Sequence, residues 1–284
     1  MSLLDLGVLD GPVLVFGGPY SNLEATEALI ALAGRLGVPA ARAICTGDVV
    51  AYCADPQGAT DRIRDWGCPV LMGNCEESLG LGAEDCGCGF EEGSACDRLA
   101  AAWYAFADAQ LEREARRWMA ALPRRIRFRL AGRRFEATHG APSQINRFVF
   151  ASDPEAEKRA ELDAVGAEAM LGGHCGIPFT QALGPRLWHN AGVIGMPAND
   201  GRRETWASLL EPRADGVSIR LLPIAYDWAK AAAKMRARGL PDDYALSLET
   251  GLWPNCDILP PAETARRGRP LDAAPYLWPA AAAA

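Results

Sequence analysis

Asp48 closes the segment TGDVVAYCADP (residues 46–56) at its Gly-Asp, and Asn74 sits in LMGNCEE (residues 71–77). His139 lies in THGAP and His174 in GGHCG. Each of these short polar side chains stands beside a glycine, just past a run where a strand is expected to end. In an open α/β sheet, ligands gather outside the carboxyl ends of the strands. One carboxylate, one amide oxygen and two imidazoles form a mixed oxygen–nitrogen shell suited to Mn, Zn or Fe. Glycines let the backbone turn tightly enough for such short side chains to converge. Taken singly, Asp and Asn after a strand are ordinary turn residues. Yet the chain has only three histidines, and two of them belong to this set. Asp48, Asn74, His139 and His174 are therefore the candidate metal ligands.

The elements that must carry them alternate. VLVFG (residues 13–17) is a short apolar run ending in glycine, a buried strand. SNLEATEALIALAGRLG follows as a helix, capped by Asn22, ended by Gly37, with Leu29, Ile30, Ala33 and Leu36 on one face. ARAICTGD reads as a second strand and PVLMGN as a third. Between them DPQGATDRIRDWG is a helix with Asp55 as cap and Pro56 at its first position. One long helix is expected from about Asp97 to Leu122, before Pro123. RIRFRLAGRRFEATHG divides about AGR into a hairpin. AEKRAELDAVGAEA is a helix, and MLGGH, RLWHNAG and TWASLLEPRADGVSIRLLPI supply further strands. Strands alternating with helices imply a parallel sheet covered by helices. Residues 1–284 read as one α/β domain, with a Cys-rich insertion at 75–97 and an extension at 226–284 holding one helix, DWAKAAAKMRARG.

The formal net charge is −7, and no basic cluster is longer than PRRIRFR, so a nucleic-acid polymer is not a favoured partner. The acidic start MSLLDLGVLDGP lacks a basic n-region, and no apolar run reaches the roughly 18 residues of a membrane span. These features point to a cytoplasmic protein without a membrane partner. The nine cysteines then read as thiols or metal ligands before disulfides.

Over about residues 13–250 the chain resembles the calcineurin-like metallophosphoesterases, in the branch of small phosphodiesterases similar to diadenosine tetraphosphatases. TGDVVAYCADP is similar to the family's Gly-Asp strand end, GNCEE to Gly-Asn-His-Asp/Glu, THGAP to its His-Gly segment and GGHCG to Gly-His-x-His. HNAGVIGMPANDGRRETWASL resembles the late Asn-Pro-Gly-Ser-Val-Gly segment. The resemblance implies a four-layer α/β/β/α sandwich and a divalent metal. It also implies hydrolysis of a phosphate ester or anhydride, in a small phosphorylated substrate, by a metal-bound water. On the family pattern Asp48 bridges two metals, and the second metal also takes Asn74, His139 and His174. For the first metal, Gly18 stands where the family has aspartate, and Tyr20 and Gly176 stand where it has histidines. Cys75 replaces the general-acid histidine.

One half of that site is thus intact and the other altered. Asp48, His139 and Cys75 are the residues expected to act in catalysis. Tyr20, Cys75, Cys86, Cys88, Cys96 and Cys175 are candidate additional ligands, since thiolates bind Zn and Fe well. An iron–sulfur cluster is the less favoured cofactor. The alternatives are a metal- or nucleotide-binding pseudoenzyme and a Cys-ligated iron enzyme of different chemistry. His189 reads equally as a substrate contact or a structural histidine. Arg147 is a candidate phosphate contact, and the Trp-bearing pieces AAWYAF, RRWMAAL and GLWPNC read as core.

Overall fold

The structure is a computed structural model that describes residues 2–280. The chain runs β1 (Leu3–Leu9), β2 (Val13–Phe16), α1 (Leu23–Arg35), β3 (Ala43–Cys45), α2 (Pro56–Trp66), α3 (Asn74–Leu81), α4 (Ala95–Gln110) and α5 (Arg113–Ala120). It continues with β4 (Arg125–Leu130), β5 (Arg133–Thr138), α6 (Glu155–Val165), β6 (Ala169–Gly172), β7 (Phe179–Leu183), β8 (Arg186–Asn190), β9 (Thr205–Arg213) and β10 (Gly216–Ile224). The last elements are α7 (Trp228–Ala237), α8 (Asp242–Thr250), α9 (Pro261–Thr264) and β11 (Tyr276–Pro279).

Two sheets face each other, in the orders β1-β4-β5-β6-β8-β7 and β11-β10-β9-β2-β3. The alternation in β2 shows why. Val13 and Val15 point between the sheets, against Phe128, Phe135 and Leu171. Leu14 and Phe16 point outward, onto Leu29 and Ala33 of α1 and Ile63 of α2. On the far side, Met170 and Trp188 receive Leu162 of α6. The layers are therefore helix, sheet, sheet, helix, and the strand ends at one edge carry the candidate ligands.

Local chemistry explains most elements. Asn22 Oδ1 accepts from the Ala25 N–H at 3.1 Å and starts α1. The β4–β5 turn has Ala131 at φ 48° and Gly132 at φ 78°, the mirror-image turn that matches strand twist. Asp55 precedes Pro56 as expected, but its carboxylate makes no cap and instead pairs with Lys234 Nζ at 2.6 Å.

Four expectations are corrected. PVLMGN is no full strand: Cys45 N–H bonds Pro69 O and Leu71 N–H bonds Cys45 O. The Met72 N–H then turns away to Pro123 O, which ends the pairing. The single helix expected over 97–122 is α4 and α5, separated at Leu111, which turns extended (φ −79°, ψ 128°) and buries its side chain beside Ala115 and Met119. The Cys-rich insertion begins with a helix, so Asn74 and Cys75 sit on its first turn. The tail holds α8, α9 and β11 besides α7; β11 pairs with β10 and buries Trp278 between the sheets. Residues 281–284 of the extension lie outside the described residues. Strands β1 and β7, also absent from the sequence reading, lie at the two edges of the larger sheet.

Candidate metal centre

Asp48 follows β3 in a left-handed conformation, φ 56°, unusual for a residue with a side chain. Glu76, on the first turn of α3, holds it there. The Glu76 carboxylate accepts from Asp48 N–H and Val49 N–H, both at 2.7 Å, and from Gly73 N–H at 2.9 Å. One buried side chain thus joins the loop bearing Asp48 to the loop bearing Asn74. Gly73 must be glycine, because a Cβ there would overlap Asp48 Oδ1. Asp48 Oδ1 also accepts from the Cys75 N–H at 3.2 Å, which leaves Oδ2 to face the histidines.

His139 follows β5. Its Nδ1 lies 2.7 Å from Thr46 O, and since a carbonyl only accepts, Nδ1 carries the proton. Nε2 then faces three polar atoms. Asn74 Oδ1 and His174 Nδ1 lie at 3.0 Å, and Asp48 Oδ2 at 3.2 Å. His174 Nδ1 lies 4.0 Å from Asp48 Oδ2. Asn74 is aimed by the cysteine loop: its Nδ2 donates to Cys86 O at 2.8 Å and to Cys88 Sγ at 3.3 Å, which turns Oδ1 toward the histidines.

Asp48 Oδ2, Asn74 Oδ1, His174 Nδ1 and His139 Nε2 thus face one point, and each can offer a lone pair to a cation. Tetrahedral bonds of about 2.1 Å place donor atoms about 3.4 Å apart, close to the spacings found. The donor set therefore fits one divalent cation. Charge agrees. Burial pushes the Asp48 carboxyl up, but His139 and His174 outweigh it and hold it below the usual range. Burial pushes His139 down, and Asp48 more than offsets this. His174 is pushed down to about 3 by burial and by His139, so it stays neutral and able to ligate. Burial, then the charge of Asp48, lifts Glu76 to about 7.

At the positions the resemblance assigns to the first metal, Gly18 lies under the Tyr20 ring and Gly176 borders a cavity. A Cβ on Gly18, at φ +34°, would come within 2.5 Å of Tyr20 Cζ, because the Tyr20 ring folds back over that position. A Cβ on Gly176, at φ +72°, would meet Trp253 Cζ2 at 3.4 Å. Tyr20 packs edge-on to Tyr52, with ring centroids 4.8 Å apart. These rings wall a cavity of about 90 Å³ that opens onto Asp48 and His174. Phe148 lies over the His174 ring at 4.2 Å.

Among the described residues, the only His/Cys/Asp/Glu group close enough to hold a cation is Asp48, His139 and His174, so no cysteine joins it. Cys75 is buried with Leu79 and Trp103 and does not line the cavity. Its thiol lies well above the ordinary range through burial, then through Asp48. Its Sγ accepts from Asn74 Nδ2 at 3.6 Å, so it sits behind the converging side chains and not among them. Cys86 and Cys88 are paired as a disulfide. Cys96 Sγ bonds Asn255 Oδ1 at 3.2 Å. Cys175 bonds Ile177 O at 3.6 Å, and burial pushes its thiol up to about 12. The donors needed for a Cys-ligated iron or an iron–sulfur cluster are not brought together among the described residues.

His189 is structural: it links Thr180 Oγ1, at 2.9 Å in its own sheet, to Ser208 Oγ, at 2.8 Å in the facing sheet. Arg147 is bound to Glu157 and Glu161, away from the cavity. Trp253, in the piece read as core, lines the cavity instead. Glu76 carried a legible signal that the sequence reading passed over, an acidic side chain at the third position of a helix beginning at Gly-Asn. Phe148 and Trp253 carried none, because their place depends on long-range packing.

Two layers of sheet between helices form the metallophosphoesterase fold, and the solved structures agree. A metallophosphoesterase from Sphaerobacter thermophilus aligns with a TM-score of 0.65 at 20% identity, covering 85% of this chain and 99% of that one. A hypothetical protein from Pyrococcus horikoshii OT3 aligns at 0.71 and 16% identity, with the same coverage of 85% and 99%. An uncharacterized protein of Methanocaldococcus jannaschii is 24% identical over 245 residues, 81% of this chain and 94% of its own length. No family model matches the chain. No helix among the described residues is long and apolar enough to cross a membrane.

Proposed function

We propose that this chain is a metal-dependent phosphoesterase that works with one divalent cation, held by Asp48, Asn74, His139 and His174. The observation that carries the reading is the convergence of Asp48 Oδ2, Asn74 Oδ1 and His174 Nδ1 on His139 Nε2 within 3.0–3.2 Å. When bound, such a cation acidifies a water and withdraws charge from a phosphoryl oxygen. The chain supplies the rest. Thr46 O fixes the His139 tautomer that presents Nε2. Cys86 O and Cys88 Sγ fix the Asn74 amide. Glu76 fixes the backbone that carries Asp48. Phe148 and Tyr20 wall the cavity that receives the substrate. With Tyr20 over Gly18 and Trp253 over Gly176, the reading is of one cation where the family pattern has two.

A single cation cannot clamp both the attacking and the leaving oxygen, so turnover should be slow beside a two-metal relative. The test is Mn²⁺ titration of the purified chain, followed by hydrolysis of bis(4-nitrophenyl) phosphate. The reading requires Mn²⁺-dependent release of nitrophenol that disappears in His139→Ala. Equal rates with and without Mn²⁺, or in the variant, would overturn it. Slow turnover could also signal the pseudoenzyme alternative, which predicts metal uptake with no release above buffer.

A further inference from the structure

The walls of the cavity differ from those expected around a highly charged phosphate. Tyr20, Tyr52, Phe90, Phe148, Tyr244 and Trp253 all line it. Among the described residues no Lys or Arg does, and Asp48 is the one acidic group. Counting charge, one divalent cation against the Asp48 carboxylate leaves +1. A monoanion brings this to zero. A monoester dianion or a polyphosphate leaves net negative charge against aromatic walls, where an uncompensated charge is costly.

The leaving group is constrained too. Cys75, which stands where the family pattern has an acid histidine, is buried behind Asn74 and does not line the cavity. The phenols and thiols that line the cavity are weak acids near neutral pH. A leaving group that departs well without a proton is therefore needed. Phenolates and phosphates both qualify, and the charge count excludes the phosphates.

We infer that the cavity is built for a phosphodiester monoanion bearing one aryl ester group, its ring held among Tyr52, Tyr244 and Trp253 with the phosphoryl group toward Asp48 and His174. This rests on the single-cation reading above. Water adds to phosphorus, the phosphorus–aryl oxygen bond breaks, and its electron pair leaves on the phenolate. The water's proton passes to solvent. Tyr52 is placed for the ring contact, its own ring centroid lying 4.8 Å from those of both Tyr20 and Tyr244. Trp253 is held by its indole N–H on Pro197 O at 2.7 Å and its backbone N–H on Asn199 Oδ1 at 2.9 Å.

The test is calorimetric binding at pH 8 to the Mn²⁺-loaded full chain, with three probes. Methyl phenyl phosphate is an aryl monoanion, dimethyl phosphate a monoanion without a ring, and phenyl phosphate an aryl dianion. The inference requires methyl phenyl phosphate to bind at least tenfold tighter than either other probe. It also requires Trp253→Leu or Tyr52→Leu to cut that preference severalfold while Mn²⁺ content stays at the parent value. Equal binding of the three probes, tightest binding of phenyl phosphate, or an undiminished preference in both variants would overturn it. If the parent takes up no Mn²⁺, the single-cation reading falls. The metal-free chain then decides the rest: a tenfold preference for methyl phenyl over dimethyl phosphate upholds the aryl cavity alone, and its absence removes both.

Discussion

Gly18→Asp is the change that would restore a first-metal carboxylate on the family pattern, and the structure predicts that alone it damages the protein. The new Cβ meets the Tyr20 ring at 2.5 to 2.8 Å over three ring atoms. Overpacking of this kind costs about 1–3 kcal/mol. Gly18 also has φ +34°, where a side chain adds about 1–2 kcal/mol. The sum is about 2–5 kcal/mol, or a fall in Tm of roughly 3–8 °C for a chain of this size. Adding Tyr20→His removes the ring atoms nearest the clash. It also loses the edge contact with Tyr52, about 0.5–1.5 kcal/mol, so the double variant should regain only part of the loss. Scanning calorimetry with metal analysis of both variants reads this out. A Gly18→Asp protein that melts within about 1 °C of the parent, a shift below about one kcal/mol, would refute the claim that Tyr20 fills the position.

Other consequences follow from the same contacts. Glu76→Gln leaves at least one of three buried backbone N–H groups without an acceptor, a cost of about 2–4 kcal/mol that urea denaturation should show. His189 is held down to about 4 by burial, below its unfolded value of about 6.5. Between those values the unfolded chain binds the extra proton, so stability falls as pH drops from 6.5 toward 4. His189→Gln should flatten that slope by an amount approaching about 3 kcal/mol at pH 4, measured as denaturation midpoints across the window. Without an acid in the cavity, the rate across a series of aryl phosphodiesters should rise steeply with leaving-group acidity; a flat series would show that a proton donor acts after all.

The convergence of four polar side chains was legible in the sequence because its signals are local. A glycine and one short polar side chain recur after β3, β5 and β6 and at the first turn of α3, and the structure brings Asp48, Asn74, His139 and His174 together. The layers were legible for the same reason, through the alternation in β2 and the caps of α1. What was hidden depends on contacts between distant segments. The fold-back of Tyr20 over Gly18 spans only two residues, yet it is set by Tyr52, Tyr244 and Trp103, which arrive from α4, α8 and the loop after β3. The break at Leu111 follows from where a second helix must pack, and no proline or glycine marks it. The cysteines looked like ligands by type. Their position makes Cys86 and Cys88 supports for the Asn74 amide and places Cys75 in the apolar cluster.

The central claim is one cation on four named side chains. It is tested most directly by equilibrium dialysis against Mn²⁺ with elemental analysis, on the parent chain and on His174→Ala. The account predicts one Mn²⁺ per parent chain and a strongly reduced content in the folded variant. Two ions per parent chain, none, or the same content in both proteins would contradict it.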